Sequence, residues 1–112
     1  MYNYNNRIFR PVANTGNGEV NNSTVFEYHQ SGNIVTAIYH GGNIIAGSLI
    51  ALVDARGKLD MRYQHVNTQN ELMTGICTSS PELLPNGKLR LHEKWQWTCG
   101  DMSKGESVIE EV

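Results

Sequence analysis

The chain has no long hydrophobic run and no cluster of basic residues, and each shortage removes a class of function. Its longest apolar stretch, Ser48 to Val53, is far too short to cross a bilayer as a helix, so no membrane partner is expected. Nine Lys and Arg stand against eleven Asp and Glu, scattered through both halves, with Glu110-Glu111 the nearest thing to an acidic tail. That balance lacks the basic stripe of a nucleic-acid-binding surface. The segment from Met1 to Arg7 carries no basic stretch followed by an apolar one, so a cytoplasmic location is expected. Two cysteines, Cys77 and Cys99, are too few for a disulfide scaffold and are expected as reduced thiols. His29, His40, His65 and His92 show no spacing that would clasp zinc, and no cofactor is expected. Gly41-Gly42 and Gly100-Asp101 precede no helical pattern, which removes the phosphate-cradling loop.

Glycine, by contrast, is plentiful, with eleven in 112 residues, and its placement is regular. Four times it is followed by Asn or Lys and then Ile or Leu: Gly32-Asn33-Ile34, Gly42-Asn43-Ile44, Gly57-Lys58-Leu59 and Gly87-Lys88-Leu89. Asn70-Glu71-Leu72 repeats the pattern with the other residue that accepts positive φ at a tight corner. These corners leave no room for helices and predict an all-β antiparallel up-and-down meander with strands near 6–13, 24–30, 33–40, 44–54, 58–66, 71–79, 88–99 and 106–111. About eight strands suit a small closed barrel, because an open meander would expose two long edges; a two-layer sandwich is the alternative. The whole chain, 1–112, reads as one domain large enough to fold without staples. The segment 14–22, rich in Asn and Gly, reads as a loop that covers a barrel end or moves. The segment 80–86, with Pro81 and Pro85 around Leu83-Leu84, reads as the other long connection, its leucines tucked against the rim.

Alternation assigns the faces. Along 58–66 it groups Leu59, Met61, Tyr63 and His65 as the inward set. Along 88–99 it groups Leu89, Leu91, Glu93, Trp95, Trp97 and Cys99. The strand 44–54 carries apolar residues on both faces, Ile45, Leu49 and Val53 on one and Ile44, Ile50 and Leu52 on the other, and is expected to be covered by the N-terminal arm or by a subunit contact. Glu93 is the anomaly, since a carboxylate between Leu91 and Trp95 needs a partner or a raised pKa. Two readings stay open. In one, Glu93 with Tyr63, His65, Trp95 and Trp97 lines a cavity for a small polar or cationic ligand. In the other, Glu93 pairs with an arginine or histidine in a filled barrel. An eight-stranded barrel is just wide enough for either. If the cavity is an active site, Glu93 or His65 is the candidate acid or base. Asp60 and Arg62, on the outer face, are expected to pair with Arg90 or Lys94 across the sheet.

The runs Leu59-Asp60-Met61-Arg62-Tyr63-Gln64-His65-Val66-Asn67, Glu71-Leu72-Met73-Thr74-Gly75-Ile76-Cys77 and Leu91-His92-Glu93-Lys94-Trp95-Gln96-Trp97-Thr98 resemble a family of short bacterial proteins, some of them called N-acetylglutamate synthase. Asn5-Asn6-Arg7-Ile8-Phe9-Arg10-Pro11 and Gly105-Glu106-Ser107 extend the resemblance over nearly the whole chain. The name implies acetyl transfer, for which the usual enzymes hold acetyl-CoA on a Gln/Arg-x-x-Gly-x-Gly/Ala loop opening a helix, and the chain contains no such loop. In architecture the closer analogy is to calycin-like barrels such as lipocalins, fatty-acid-binding proteins and avidins, though the glycine-x-tryptophan lipocalin signature is missing. The expected function is binding of a small organic ligand inside the barrel. The alternatives are a small isomerase or hydrolase using Glu93 and His65, and a filled barrel that meets a partner or a second copy through Ile44–Val53.

Overall fold

The computed structural model describes residues 2–112. The five corners take positive φ, at Gly32 (60°), Gly42 (63°), Gly57 (84°), Gly87 (84°) and Asn70 (63°), the conformation that turns one strand back on the next. Between them run β1 (Arg7–Asn14), β2 (Val25–Ser31), β3 (Ile34–Gly41), β4 (Ile44–Val53), β5 (Leu59–Asn67), β6 (Leu72–Leu83), β7 (Leu89–Trp97) and β8 (Lys104–Glu111). Each pairs antiparallel with its sequence neighbour, and β1 closes on β8, giving a barrel in the order β1 to β8. The meander therefore closes, and the sandwich alternative is set aside.

Three sequence expectations need correction. Residues 80–83 are not a connection, because β6 continues to Leu83 and pairs with β7 through Pro81↔Leu91 and Leu83↔Leu89. Proline is tolerated there because pairing with β5 stops at Ser79↔Leu59, leaving that side of Pro81 without a ladder to join. Leu83 consequently stands in solvent instead of tucking under the rim. Second, β4 is covered on one face only. A bulge between Ile44 and Ala46 swings Ile44 inward with Leu49 and Ala51, while Ile50 and Leu52 remain 54% and 55% exposed. The N-terminal arm does not lie over them. It plugs the barrel end instead, with Tyr4 fully buried and its hydroxyl donating to the Gly57 carbonyl. Third, β6 separates β5 from β7, so Arg62 bonds Asp60 on its own strand (2.8 Å), and Arg90 pairs with Glu82 and Glu110.

The inward faces follow the alternation on β5 and β7: Leu59, Met61, His65, Leu89, Leu91, Trp95 and Trp97 are buried. The plugged end is filled by Tyr4, Phe9, Tyr28, Val35, Leu59, Leu89, Leu91 and Ile109. Toward the other end, three large rings fit only because the residue paired with each is glycine. Tyr39 lies opposite Gly47, Tyr63 opposite Gly75, and Trp95 opposite Gly105. A methyl group on any of these glycines would come within 2.5 Å of the ring it faces. Gly47→Ala is the cleanest probe, because Tyr39 is held by a hydrogen bond to His65 and cannot swing away freely. Urea unfolding of Gly47→Ala is expected to show a loss of about 1–3 kcal/mol, the range for overpacking a fitted core; an unchanged midpoint would contradict the ring-over-glycine packing.

Candidate functional site

The rings do not fill the interior above the plug. A cavity of about 60 Å3 remains, and all eight strands contribute to its wall: Asn14, Phe26, Tyr39, Leu49, Met61, Tyr63, His65, Cys77, Glu93, Trp95, Trp97 and Ser107. The five residues expected to share a site, Tyr63, His65, Glu93, Trp95 and Trp97, all face it. Alternation brings them there, because β5 and β7 place every second side chain on the inner surface. The aromatic part is continuous. Trp95 and Trp97 meet edge to face at 5.5 Å between centroids, Trp97 meets Tyr63 at 5.9 Å and His65 at 5.8 Å, and Phe26 stacks on Tyr39 at 4.9 Å.

The connection between β1 and β2 closes the mouth. Gly18, Glu19 and Val20 face the cavity, and the Trp97 indole N–H donates to the Asn17 carbonyl at 3.1 Å. Glu19 reaches furthest in. One carboxylate oxygen lies 2.7 Å from His65 Nε2, and the other accepts from Asn67 Nδ2 at 3.0 Å. Nδ1 of the same imidazole lies 2.9 Å from the Tyr39 hydroxyl, so both ring nitrogens are engaged. Of the two behaviours open to the 14–22 segment, covering a barrel end is the one the structure shows.

Among the described residues Glu93 has no cationic partner, which corrects the filled-barrel reading in which an arginine or histidine would balance it. Its Oε1 accepts a hydrogen bond from Ser107 Oγ at 3.1 Å. Burial pushes its carboxyl up to about 7, against the lowering influence of the Ser107 and Ser79 hydroxyls. Although protein surrounds it, Glu93 keeps some accessible surface, and it lines both this cavity and a second pocket with Asn14, Lys58, His92, Lys94 and Ser107. Beside it the Tyr28 hydroxyl and Ser79 Oγ are buried without a hydrogen bond of regular geometry. Burial pushes the phenols of Tyr28, Tyr39 and Tyr63 and the Cys77 thiol well up, so none of them serves as an ionised nucleophile near neutrality.

The residues that sequence reasoning missed come from β1, β2, β3, β4, β6, β8 and the mouth. Phe26 and Tyr39 carry a legible signal, since each alternates with other buried residues on its strand. Glu19, in an irregular connection, carries none.

The family described as avidin-like protein matches residues 2–112. The chain belongs to the avidin-like family. No curated protein and no solved structure matches it. The family typically binds small ligands, and its calycin-type barrel agrees with the closed eight-stranded sheet seen here.

The raised Glu93 carboxyl makes the stability of this avidin-like barrel pH-dependent. Glu93 takes up its proton near 7 when folded and near its ordinary value of 4.5 when unfolded. Between these values the folded state binds more protons, so stability is full below about 4.5 and is lost as pH rises through about 7. The loss is on the order of 3 kcal/mol. Urea unfolding from pH 5 to 8 is expected to show this decline in the native protein and to lose it in Glu93→Gln, which is the more stable of the two at pH 8. A flat native profile would contradict the burial of an unpaired carboxyl.

Proposed function

We propose that this avidin-like barrel binds a small organic ligand in its interior, through Tyr63, His65, Glu93, Trp95 and Trp97, without covalent chemistry. The observation that carries the reading is the aromatic cavity with an uncompensated carboxyl in its wall. A barrel selected only for stability would fill such a space, since an empty lining forfeits its packing contacts. The enzymatic alternative, with Glu93 and His65 as acid and base, has less behind it, because both ring nitrogens of His65 are taken by Tyr39 and Glu19 and not by Glu93. The cytoplasm remains the proposed location, and free Cys77 and Cys99 are compatible with it. Native mass spectrometry of freshly purified protein, beside a denatured control, is expected to show a non-covalent mass. Trp97→Ala should release that mass or weaken its retention about tenfold or more, the equivalent of one lost aromatic contact. Bare protein in every preparation would count against interior binding.

The outer face of β3 and β4 favours a second property, association of two copies through Ile44–Val53. Ile34 pairs with Leu52 and Thr36 with Ile50, and together with Ile38 they form an apolar stripe, each of the four Ile and Leu side chains 43–55% exposed. Arg62 sits beside Ile50, and Asp60 beside Leu52. A two-fold axis through Ala51 would lay Ile50 of one copy over Leu52 of the other and bring Arg62 onto Asp60. Sedimentation over a range of concentrations is expected to show dimer for the native chain and monomer for Leu52→Lys. Monomer throughout for the native chain would remove the association.

A further inference from the structure

The charged groups that reach the cavity are carboxylates, and the one histidine in its wall, His65, is already engaged at both ring nitrogens by Tyr39 and Glu19. Glu93 and Glu19 are its two carboxylates, and no lysine or arginine among the described residues lines it. Asn14 adds a third acceptor. Its Nδ2 is committed to the Val20 carbonyl at 2.9 Å, which fixes the orientation of the amide and leaves the buried Oδ1 without a partner. Next to Glu93, the fully buried Ser79 hydroxyl turns toward the carboxyl and the Tyr28 hydroxyl stays without a hydrogen bond, so neither brings a positive charge to it. A buried acceptor left open, as Asn14 Oδ1 is, costs free energy unless something donates to it, so the cavity calls for a donor. Around these groups stand Trp95, Trp97, Tyr63, Tyr39 and Phe26, whose ring faces attract positive charge.

Size narrows the occupant further. With roughly 10–15 Å3 needed for each water-sized group, a 60 Å3 cavity holds about four to six non-hydrogen atoms while the mouth stays closed. We propose that the cavity binds a small organic cation bearing N–H donors, of the guanidinium, amidinium or ammonium class, with Glu93 as its counter-ion at depth and Glu19 adding negative charge at the mouth. This rests on the reading that the barrel binds a ligand in its interior and names the class that ligand belongs to.

The proposal ties affinity to the charge on Glu93. The groups nearest Glu93 are Cys77 and Ser79 from β6, Ser107 from β8, Tyr28 from β2, Tyr39 from β3 and Tyr63 from β5; Glu19 and His65, bonded to each other at 2.7 Å, line the same cavity, and Lys58, His92, Lys94 and Glu106 share a second pocket with Glu93. The phenols and the thiol among them are held neutral by burial, and the two serines do not titrate. Burial places the Glu93 carboxyl at about 7, and Glu93→Gln isolates its charge from that of the other groups. A bound cation favours the ionised carboxylate, so binding above pH 7 is strong and binding below it must expel a proton.

The experiment is a titration of the full chain, read by tryptophan fluorescence and calorimetry, with three probes of matched size. Methylguanidinium is the cation, N-methylurea its neutral counterpart, and propionate the anion. At pH 8 methylguanidinium should saturate the protein while methylurea and propionate bind at least about tenfold more weakly. At pH 5.5, where Glu93 is largely protonated, methylguanidinium affinity should fall by about tenfold or more. Glu93→Gln should bind it as weakly at pH 8 as the native chain does at pH 5.5; should that variant fail to fold, the pH series on the native chain carries the same test. Saturation by methylurea or propionate with equal or greater affinity would overturn the cation class while leaving interior binding intact. Methylguanidinium affinity that ignores both pH and Glu93→Gln would also overturn the proposal. Silence with all three probes would overturn it too, and the co-purifying mass then decides interior binding separately.

Discussion

Closing eight strands into a barrel leaves an interior only about one layer of side chains across, and every property of this protein descends from how that narrow space is shared. Side chains from opposite walls compete for the same axis. At the plugged end the competition is resolved by ordinary interdigitation of Phe9, Tyr28, Leu59 and Leu91 around the inserted Tyr4. Further along, three bulky rings are seated by withdrawing the side chain across from each, through Gly47, Gly75 and Gly105. The glycines thus have two separate uses in the chain. Those at the corners turn the backbone, and those in the strands clear space for tryptophan and tyrosine.

The cavity is the remainder of that packing, and its electrostatics follow from its walls. Aromatic rings and short aliphatic groups solvate a carboxylate poorly, so Glu93 is pushed up to about 7 although it lies near two hydroxyls. A cationic side chain from a neighbouring strand could have neutralised it, but no such side chain reaches the interior among the described residues. The charged residues are spent on the outer surface, in pairs such as Arg62 with Asp60 and Arg7 with Glu111. The interior is left with a carboxyl that no cation balances among the described residues.

The mouth completes the arrangement. Asn17 and Glu19 bond to Trp97, His65 and Asn67, so the connection between β1 and β2 is tied to the far wall of the barrel through the residues that line the cavity. A ligand larger than the enclosed space must displace these bonds, which couples the identity of the occupant to the position of the cover. On the outside, the apolar stripe on β3 and β4 is independent of all this, since outward and inward side chains on a strand belong to different surfaces.

The corners, the eight strands, their closure and the inward sets on β5 and β7 were legible in the sequence, because a turn glycine and a period of two are local signals that need no partner to be read. Tyr63, His65, Glu93, Trp95 and Trp97 could be grouped for that reason alone. What the local signals could not express is register. Whether Glu93 meets an arginine or a serine, whether Ile44 turns inward at a bulge, and whether Pro81 stands within a strand all depend on which residue of another strand lies opposite. The same holds for the rings seated over glycines and for Glu19, which enters the site from an irregular connection. Only the tertiary structure decided whether the barrel was filled or hollow, because a cavity is the difference between the space that eight strands enclose and the volume their side chains occupy, and that difference is a property of no single segment.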